Sequence, residues 1–194
     1  MKYKFNEFYS NPFFSIEEGL KDASDSEDPY YRIITGDSVI CCVLDSECNL
    51  IMVEQFRPNL NSYTLEMPAG GIKPKEEPLE AAKREFLEET GLVADLLYLG
   101  SYHLMMNRIK NKEHIFIGIN PVSNQHIHPE KGIRVKRISR KKLKDYILEG
   151  KYKQIAGMGI LQIASVYLNL DILNSEFKDI RDSFMAKAAD LELG

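Results

Sequence analysis

Residues 70–92 read GGIKPKEEPLEAAKREFLEETGL, and three of the glutamates in this stretch have a spacing that could do chemistry. On an α-helix successive residues are about 100° apart, so Glu85, Glu88 and Glu89, at i, i+3 and i+4, project within one sector. Like charges so placed destabilise an isolated helix by about 0.2–0.5 kcal/mol per pair, and a divalent cation with its preference for oxygen ligands relieves that repulsion. Such a cation would polarise phosphoryl oxygens and lower the pKa of a bound water, which is the chemistry of phosphate anhydride hydrolysis. The acids alone also fit an ordinary solvated helix face on which Lys83 and Arg84 pair with neighbouring glutamates.

The elements that must position these acids can be read around them. Pro78 suits the first turn of a helix, Leu79, Ala82 and Phe86 recur at helical spacing, and Gly91 suits a C-terminal stop, which predicts a helix over residues 79–90. The acidic sector lies beside that apolar stripe, at the edge of the core. Upstream, residues 38–44 (SVICCVL) and 51–56 (IMVEQF) read as strands joined by a hairpin turn of polar residues. Downstream, residues 114–119 and 133–138 read as strands, and 140–149 and 159–173 as helices. The run DASDSEDP at 22–29 predicts an exposed acidic loop, giving an N-terminal arm over 1–36 and a main domain over 37–194.

The 194 residues suit one domain with an appendage, and 44% hydrophobic content is enough for a core. A net charge of −4 offers no basic surface for nucleic acid, so an anionic substrate would depend on a metal or a few placed cations. The N-terminal MKYKFNEFYSNPFF lacks the apolar run of a secretory signal. Gln162, Asn169 and Asp171 interrupt the apolar residues 156–173, so no membrane span is expected. Cys41, Cys42 and Cys48 are odd in number and form no C-x-x-C pair, which predicts free thiols in a reducing, cytoplasmic setting. His126 and His128 sit two apart in a loop beside Pro129, too little for a metal site, and Met105 and Met106 read as core filling.

The full pattern around the acids is Gly70, five residues, Glu76, seven residues, Arg84-Glu85-Phe86, one residue, Glu88-Glu89, one residue, Gly91-Leu92. It resembles the Nudix box of the Nudix hydrolase family with no position missing. The resemblance implies an α+β fold, a mixed β-sheet sandwiched between helices (an α/β/α sandwich) with an N-terminal β arm. It implies that Glu85, Glu88 and Glu89 bind Mg²⁺ or Mn²⁺, that the Ala69 carbonyl completes a site, that Arg84 orients a glutamate, and that Glu76 braces the motif. Residues 53–58 (VEQFRP) and 65–70 (LEMPAG) are similar to segments of ADP-ribose pyrophosphatases and related nucleotide-sugar hydrolases, which makes Arg57 and Glu66 candidates for substrate binding, a surface ion pair being the alternative.

That branch implies hydrolysis of the diphosphate linkage of ADP-ribose or another nucleotide sugar to a nucleoside monophosphate and a sugar phosphate. It implies a general base on the loop before residues 133–138, where Glu130 is the carboxylate available and Glu113 is its rival. It also implies a homodimer formed through the N-terminal arm, which carries Tyr3, Phe5, Phe8, Phe13 and Phe14. The chain departs from the pattern at residues 104–112 (LMMNRIKNK), where ADP-ribose pyrophosphatases usually have a proline-glycine pair. A dinucleotide, a coenzyme or an oxidised nucleotide triphosphate therefore stays open as substrate. A non-catalytic ligand-binding Nudix module is the contrasting class, and it has no chemical need for all three metal carboxylates.

Overall fold

Two β-sheets divide the chain in the computed structural model, which describes residues 3–21 and 28–192. The first is antiparallel along β1 (Tyr3–Ser10), β2 (Phe14–Lys21) and β3 (Tyr30–Thr35). It is the expected N-terminal β arm. The acidic loop expected at 22–29 lies, apart from Asp28 and Pro29, outside the described residues.

The second sheet is built on β4 (Ser38–Leu44), whose uninterrupted apolar run is buried on both faces, as a central strand requires. A turn held by Asp45, whose carboxylate accepts from the Glu47 and Asn49 backbone N–H groups, leads into β5 (Asn49–Arg57). A short 3₁₀ turn then gives β6 (Ser62–Glu66), which pairs with β5. The chain crosses over at Met67 and Pro68 to β7 (Ala69–Gly71), which pairs with β4. Helix α1 (Pro78–Thr90) follows, then β8 (Leu92–Tyr102), β9 (Ile109–Lys110), β10 (Glu113–Ser123), β11 (Arg134–Ser139), α2 (Arg140–Leu148), α3 (Ile155–Leu168) and α4 (Phe177–Glu192). The strand order is β11-β5-β4-β10-β8, with β4 and β10 parallel and the other pairs antiparallel, so the sheet is mixed.

Alternation along β4 assigns the two faces. Val39, Cys41 and Val43 pack with Ala81, Ala82 and Phe86 of α1, whereas Ile40, Cys42 and Leu44 join Leu143 of α2, Ile160, Leu161 and Ala164 of α3, and Ile180 and Phe184 of α4. Helices thus cover both faces, and the architecture is the expected α/β/α sandwich.

Several local expectations differ from the structure. Leu79 is exposed, because the buried face of α1 runs through Ala81, Ala82 and Phe86. The helix expected over 159–173 begins at Ile155 and stops at Leu168, where Asn169 takes the left-handed conformation (φ 54°), one that asparagine tolerates better than most residues. Strand β8 was not foreseen. Met105 and Met106 are exposed instead of filling the core, since their loop leaves the domain to build β9, which pairs with β3 and fastens the arm to the domain.

Candidate active site

Helix α1 starts after the extended Glu77 with Pro78 in its first turn, and it ends where Gly91 turns left-handed (φ 69°) and donates its N–H to Leu87 O at 2.8 Å. A side chain at Gly91 would also approach Ile127 O to 3.1 Å, because the loop between β10 and β11 folds against this helix end. In that loop the Glu130 N–H donates to Glu88 O at 2.8 Å, satisfying a carbonyl that the helix leaves open.

Arg84 organises the first half of the site. Its Nε and Nη2 donate to Glu76 Oε1 at 2.7 Å and Oε2 at 2.8 Å, a bidentate pair, and Nη2 also donates to Gly71 O at 2.9 Å. Its Nη1 donates to Glu85 Oε1 at 2.6 Å and to Glu88 Oε2 at 3.2 Å. The bidentate pair from Arg84, with a further bond from the Lys73 N–H, holds the Glu76 carboxyl down to about 2. Gly70 allows a close approach: a Cβ there would lie 2.1 Å from Glu85 Cδ, so a side chain at this position would displace the Glu85 carboxylate.

Glu89 lies deeper. Only 6% exposed, it accepts a hydrogen bond from the Ala69 N–H at 3.0 Å. Burial, with repulsion from Glu85 and Glu66, outweighs that bond and the attraction of Arg57 and pushes its carboxyl up to about 7. On the side facing β6, Arg57 grips Glu66, with Nε donating to Oε1 at 2.7 Å and Nη2 to Oε2, while Thr64 Oγ1 also donates to Oε1. Burial raises the Glu66 carboxyl, but the bonds from Arg57 and Thr64 prevail and it ends below the usual range. Around β7 and α1 there are thus five carboxylates, Glu66, Glu76, Glu85, Glu88 and Glu89, against two guanidiniums, Arg57 and Arg84.

This surplus of carboxylate oxygens, those of Glu66 and Glu89 buried, fits a divalent cation in kind. Among the described residues no three acids converge on a single point as folded, since Arg84 engages Glu85 and Glu88 while Glu89 turns to Ala69. Their charge and donor type, more than a finished cage, make the match.

The NUDIX domain family pattern matches residues 35–147, more than half of the chain. The chain belongs to the Nudix family. Stretches within it are 56% identical over 48 residues to an ADP-sugar pyrophosphatase of Mus musculus and 42% identical over 60 residues to an ADP-ribose pyrophosphatase of Bacillus subtilis (strain 168). Those stretches cover 25% and 31% of this chain and only 22% and 32% of the two relatives. A crystal structure of an ADP compounds hydrolase superposes over 87% of this chain and 95% of its own with a TM-score of 0.68 at 19% identity, which speaks to a shared Nudix fold.

Within this Nudix fold the residues expected from the sequence fall into four places. Arg84, Glu85, Glu88, Glu89, Glu76, Gly70 and Ala69 are brought together by the contacts above. Arg57 and Glu66 line a cleft of about 550 Å³ together with Tyr63, Thr64, Lys151, Lys153 and Gln154, and the attraction of Arg57 for Glu89 connects this cleft to the acids of α1. Glu130 is tied to α1 through its backbone while its side chain is exposed. Glu113 stands apart, at the start of β10 on the same side as Ile115 and Ile117, which face α3 instead of α1. Burial raises its carboxyl, and among the described residues no side-chain hydrogen bond or ion pair joins it to the Nudix box, although Ser38 pairs with Glu113 on one side and with Gly71 on the other. Lys151, Lys153 and Gln154 had no signal in the sequence, because the α2–α3 turn reaches the cleft from a distant part of the chain.

Proposed function

We propose that the protein hydrolyses the diphosphate linkage of a nucleoside diphosphate derivative, ADP-ribose or another nucleotide sugar, to a nucleoside monophosphate and a sugar phosphate with the help of Mg²⁺ or Mn²⁺. The observation that carries this reading is Glu89, a buried carboxylate repelled by Glu85 and Glu66 and attracted by Arg57, which with Glu66 lines the neighbouring cleft. A group so placed is stabilised by a cation and serves an anionic ligand. The ADP-sugar and ADP-ribose pyrophosphatases that share the box support the substrate class.

Held by Glu85, Glu88, Glu89 and the Ala69 carbonyl, the cation would supply charge neutralisation at the phosphoryl oxygens and activation of water. The residues of the chain do the rest. Arg57, set by Glu66, offers its guanidinium to the substrate in the cleft, and Arg84 keeps Glu85 and Glu88 oriented. Glu130 takes the proton of the attacking water at its carboxylate, a role supported by the tie from its N–H to Glu88 O. Glu113 is the rival for that proton.

We further propose that the arm, residues 1–36, makes a homodimer, supported by the exposure of Phe8 and Tyr9 on β1 and of Phe13 in the turn before β2. The setting is cytoplasmic, supported by three free buried thiols. No helix among the described residues is long and apolar enough to cross a membrane.

An assay coupled to a phosphatase, which frees inorganic phosphate from the monophosphate products but not from the intact diphosphates, run with Mg²⁺ and Mn²⁺ across ADP-ribose, other nucleotide sugars, dinucleotides and coenzymes, with pyrophosphate release followed for oxidised nucleotide triphosphates, tests the reading. Turnover of a nucleotide sugar that stops with EDTA is the expected result, and no turnover of any of them with either metal would leave a binding module. Light scattering at micromolar concentration tests the dimer, which a monomer mass rules out.

A further inference from the structure

Gln154 stands just before α3 with extended backbone (φ −76°, ψ 102°), and its side chain does not cap its own helix. It reaches across the fold. Its Oε1 accepts from the Met67 N–H at 2.8 Å and from the Tyr152 hydroxyl at 3.1 Å. A backbone N–H can only donate, so the amide oxygen must face Met67, and two donors fill the two lone pairs of that oxygen. The orientation of the amide is therefore fixed, and its Nε2 points the other way.

No described residue accepts from Nε2. The only buried side-chain polar atom without a partner among the described residues is Asn111 Oδ1, so Nε2 keeps contact with solvent, and Gln154 is one of the residues that line the cleft with Arg57, Tyr63, Glu66 and Lys153. Lys153 has no carboxylate within ion-pair distance among the described residues, whereas the neighbouring Lys151 is held by Glu149 at 2.6 Å. A second feature shows that the amide is built in. A Cβ on Gly157 would lie 1.8 Å from the Tyr152 hydroxyl oxygen and 2.6 Å from Gln154 Oε1. Glycine inside a helix costs about 1 kcal/mol relative to alanine, and here it leaves the space that seats the Tyr152–Gln154 pair.

We propose that Gln154 is a substrate-binding residue: it presents its two Nε2 hydrogens, beside the Lys153 ammonium, to acceptor oxygens of the nucleotide-derived anion in the cleft, with Tyr152 as the residue that positions it. This rests on the reading of the cleft as the substrate site. An orienting amide next to an unpaired cation suits a ligand rich in phosphate and hydroxyl oxygens. It also explains why a turn outside the Nudix box converges on Arg57 and Glu66.

The test is Gln154→Glu, which keeps both acceptor roles toward Met67 and Tyr152 while removing the donors and setting a negative charge against an anion. With a substrate that the wild type hydrolyses, the variant is expected to raise KM at least about tenfold and to keep kcat within about threefold, because the contact is made in ground and transition state alike. A Tm close to that of the wild type shows that the fold is kept. Gln154→Leu, which loses both functions, should lower kcat as well by freeing the Met67 peptide. Unchanged KM in Gln154→Glu overturns the proposal, as does a loss confined to kcat, which would make Gln154 a positioning residue only. Calorimetric titration of AMP and of ribose 5-phosphate in EDTA separates this outcome from failure of the functional reading. Weaker binding of either by Gln154→Glu supports the contact even if the wild type hydrolyses nothing in the panel, and equal binding of both by the two proteins overturns it.

Discussion

Glu89→Gln should make the metal-free protein more stable and at the same time inactive. The carboxyl of Glu89 rises from its ordinary 4.5 to about 7, so the folded state holds a proton there that the unfolded chain releases at lower pH. The sign follows directly. For a carboxyl raised on folding, the favourable neutral form is fully present below pH 4.5, and stability is lost as the pH climbs from there through about 7. At pH 8 the deficit approaches about 3 kcal/mol. Glutamine is isosteric and neutral, and its Oε1 still accepts from the Ala69 N–H. For a chain of this size each kcal/mol moves Tm by about 2–4 °C, so in EDTA at pH 8 the variant should melt higher than the wild type by up to about 6–12 °C. The gap should close toward pH 5. Mg²⁺ should then raise the Tm of the wild type far more than that of the variant, since a ligand stabilises only the state it binds. Turnover should fall at least about a hundredfold. Scanning calorimetry from pH 5 to 8, with and without EDTA, reads all of this. Equal or lower stability of Glu89→Gln at pH 8 without metal would refute the claim that Glu89 is a strained, cation-seeking carboxylate. Near-normal turnover would refute its role as a ligand.

Three further predictions follow from the geometry. Gly70→Ala should lower kcat at least about tenfold while the protein still folds, because a Cβ 2.1 Å from Glu85 Cδ forces that carboxylate off its Arg84 contact; steady-state kinetics and circular dichroism check it. Glu130→Gln should reduce kcat by about 10² to 10⁴-fold with little change in KM, whereas a large loss in Glu113→Gln alone would move the base to β10, and mild effects in both would mean that no side-chain base is needed. Cys41 and Cys42 should resist a thiol reagent at pH 8 in the native protein and react on unfolding, since burial pushes Cys41 well above the usual thiol range and Cys42 up to about 12.

The sequence was informative where a function is packed into consecutive residues. The Nudix box is readable because one helix and one strand supply most of it, and the apolar run of residues 38–44 announces a strand buried on both sides whatever lies around it. It was less informative where tertiary partners decide. The apolar pattern runs on to Leu173, and only the Asn169 turn, with Ser165 Oγ accepting from the Ile172 N–H, shows that the helix has ended. Leu79 is as apolar as Phe86, yet only Phe86 meets the sheet. Gln154 meets Met67 across a separation of 87 residues, and no local spacing encodes that meeting.

The three box glutamates sharpen the distinction. By spacing they are equivalent, each a carboxylate in one helical sector. In the fold they are not: Glu88 is half exposed, Glu85 is held by Arg84 over a glycine, and Glu89 is sealed beneath the Ala69 N–H. Spacing therefore says which residues can act together, but burial decides which of them carries the electrostatic strain. That strain belongs to Glu89 because it is the most buried of the three and is repelled by Glu85 and Glu66, and the Ala69 N–H, on the crossing from β6 to β7, relieves only part of it. The residue that fixes this crossing from the far side is Gln154, so the helix of the box and the turn before α3 act on one peptide segment from opposite ends.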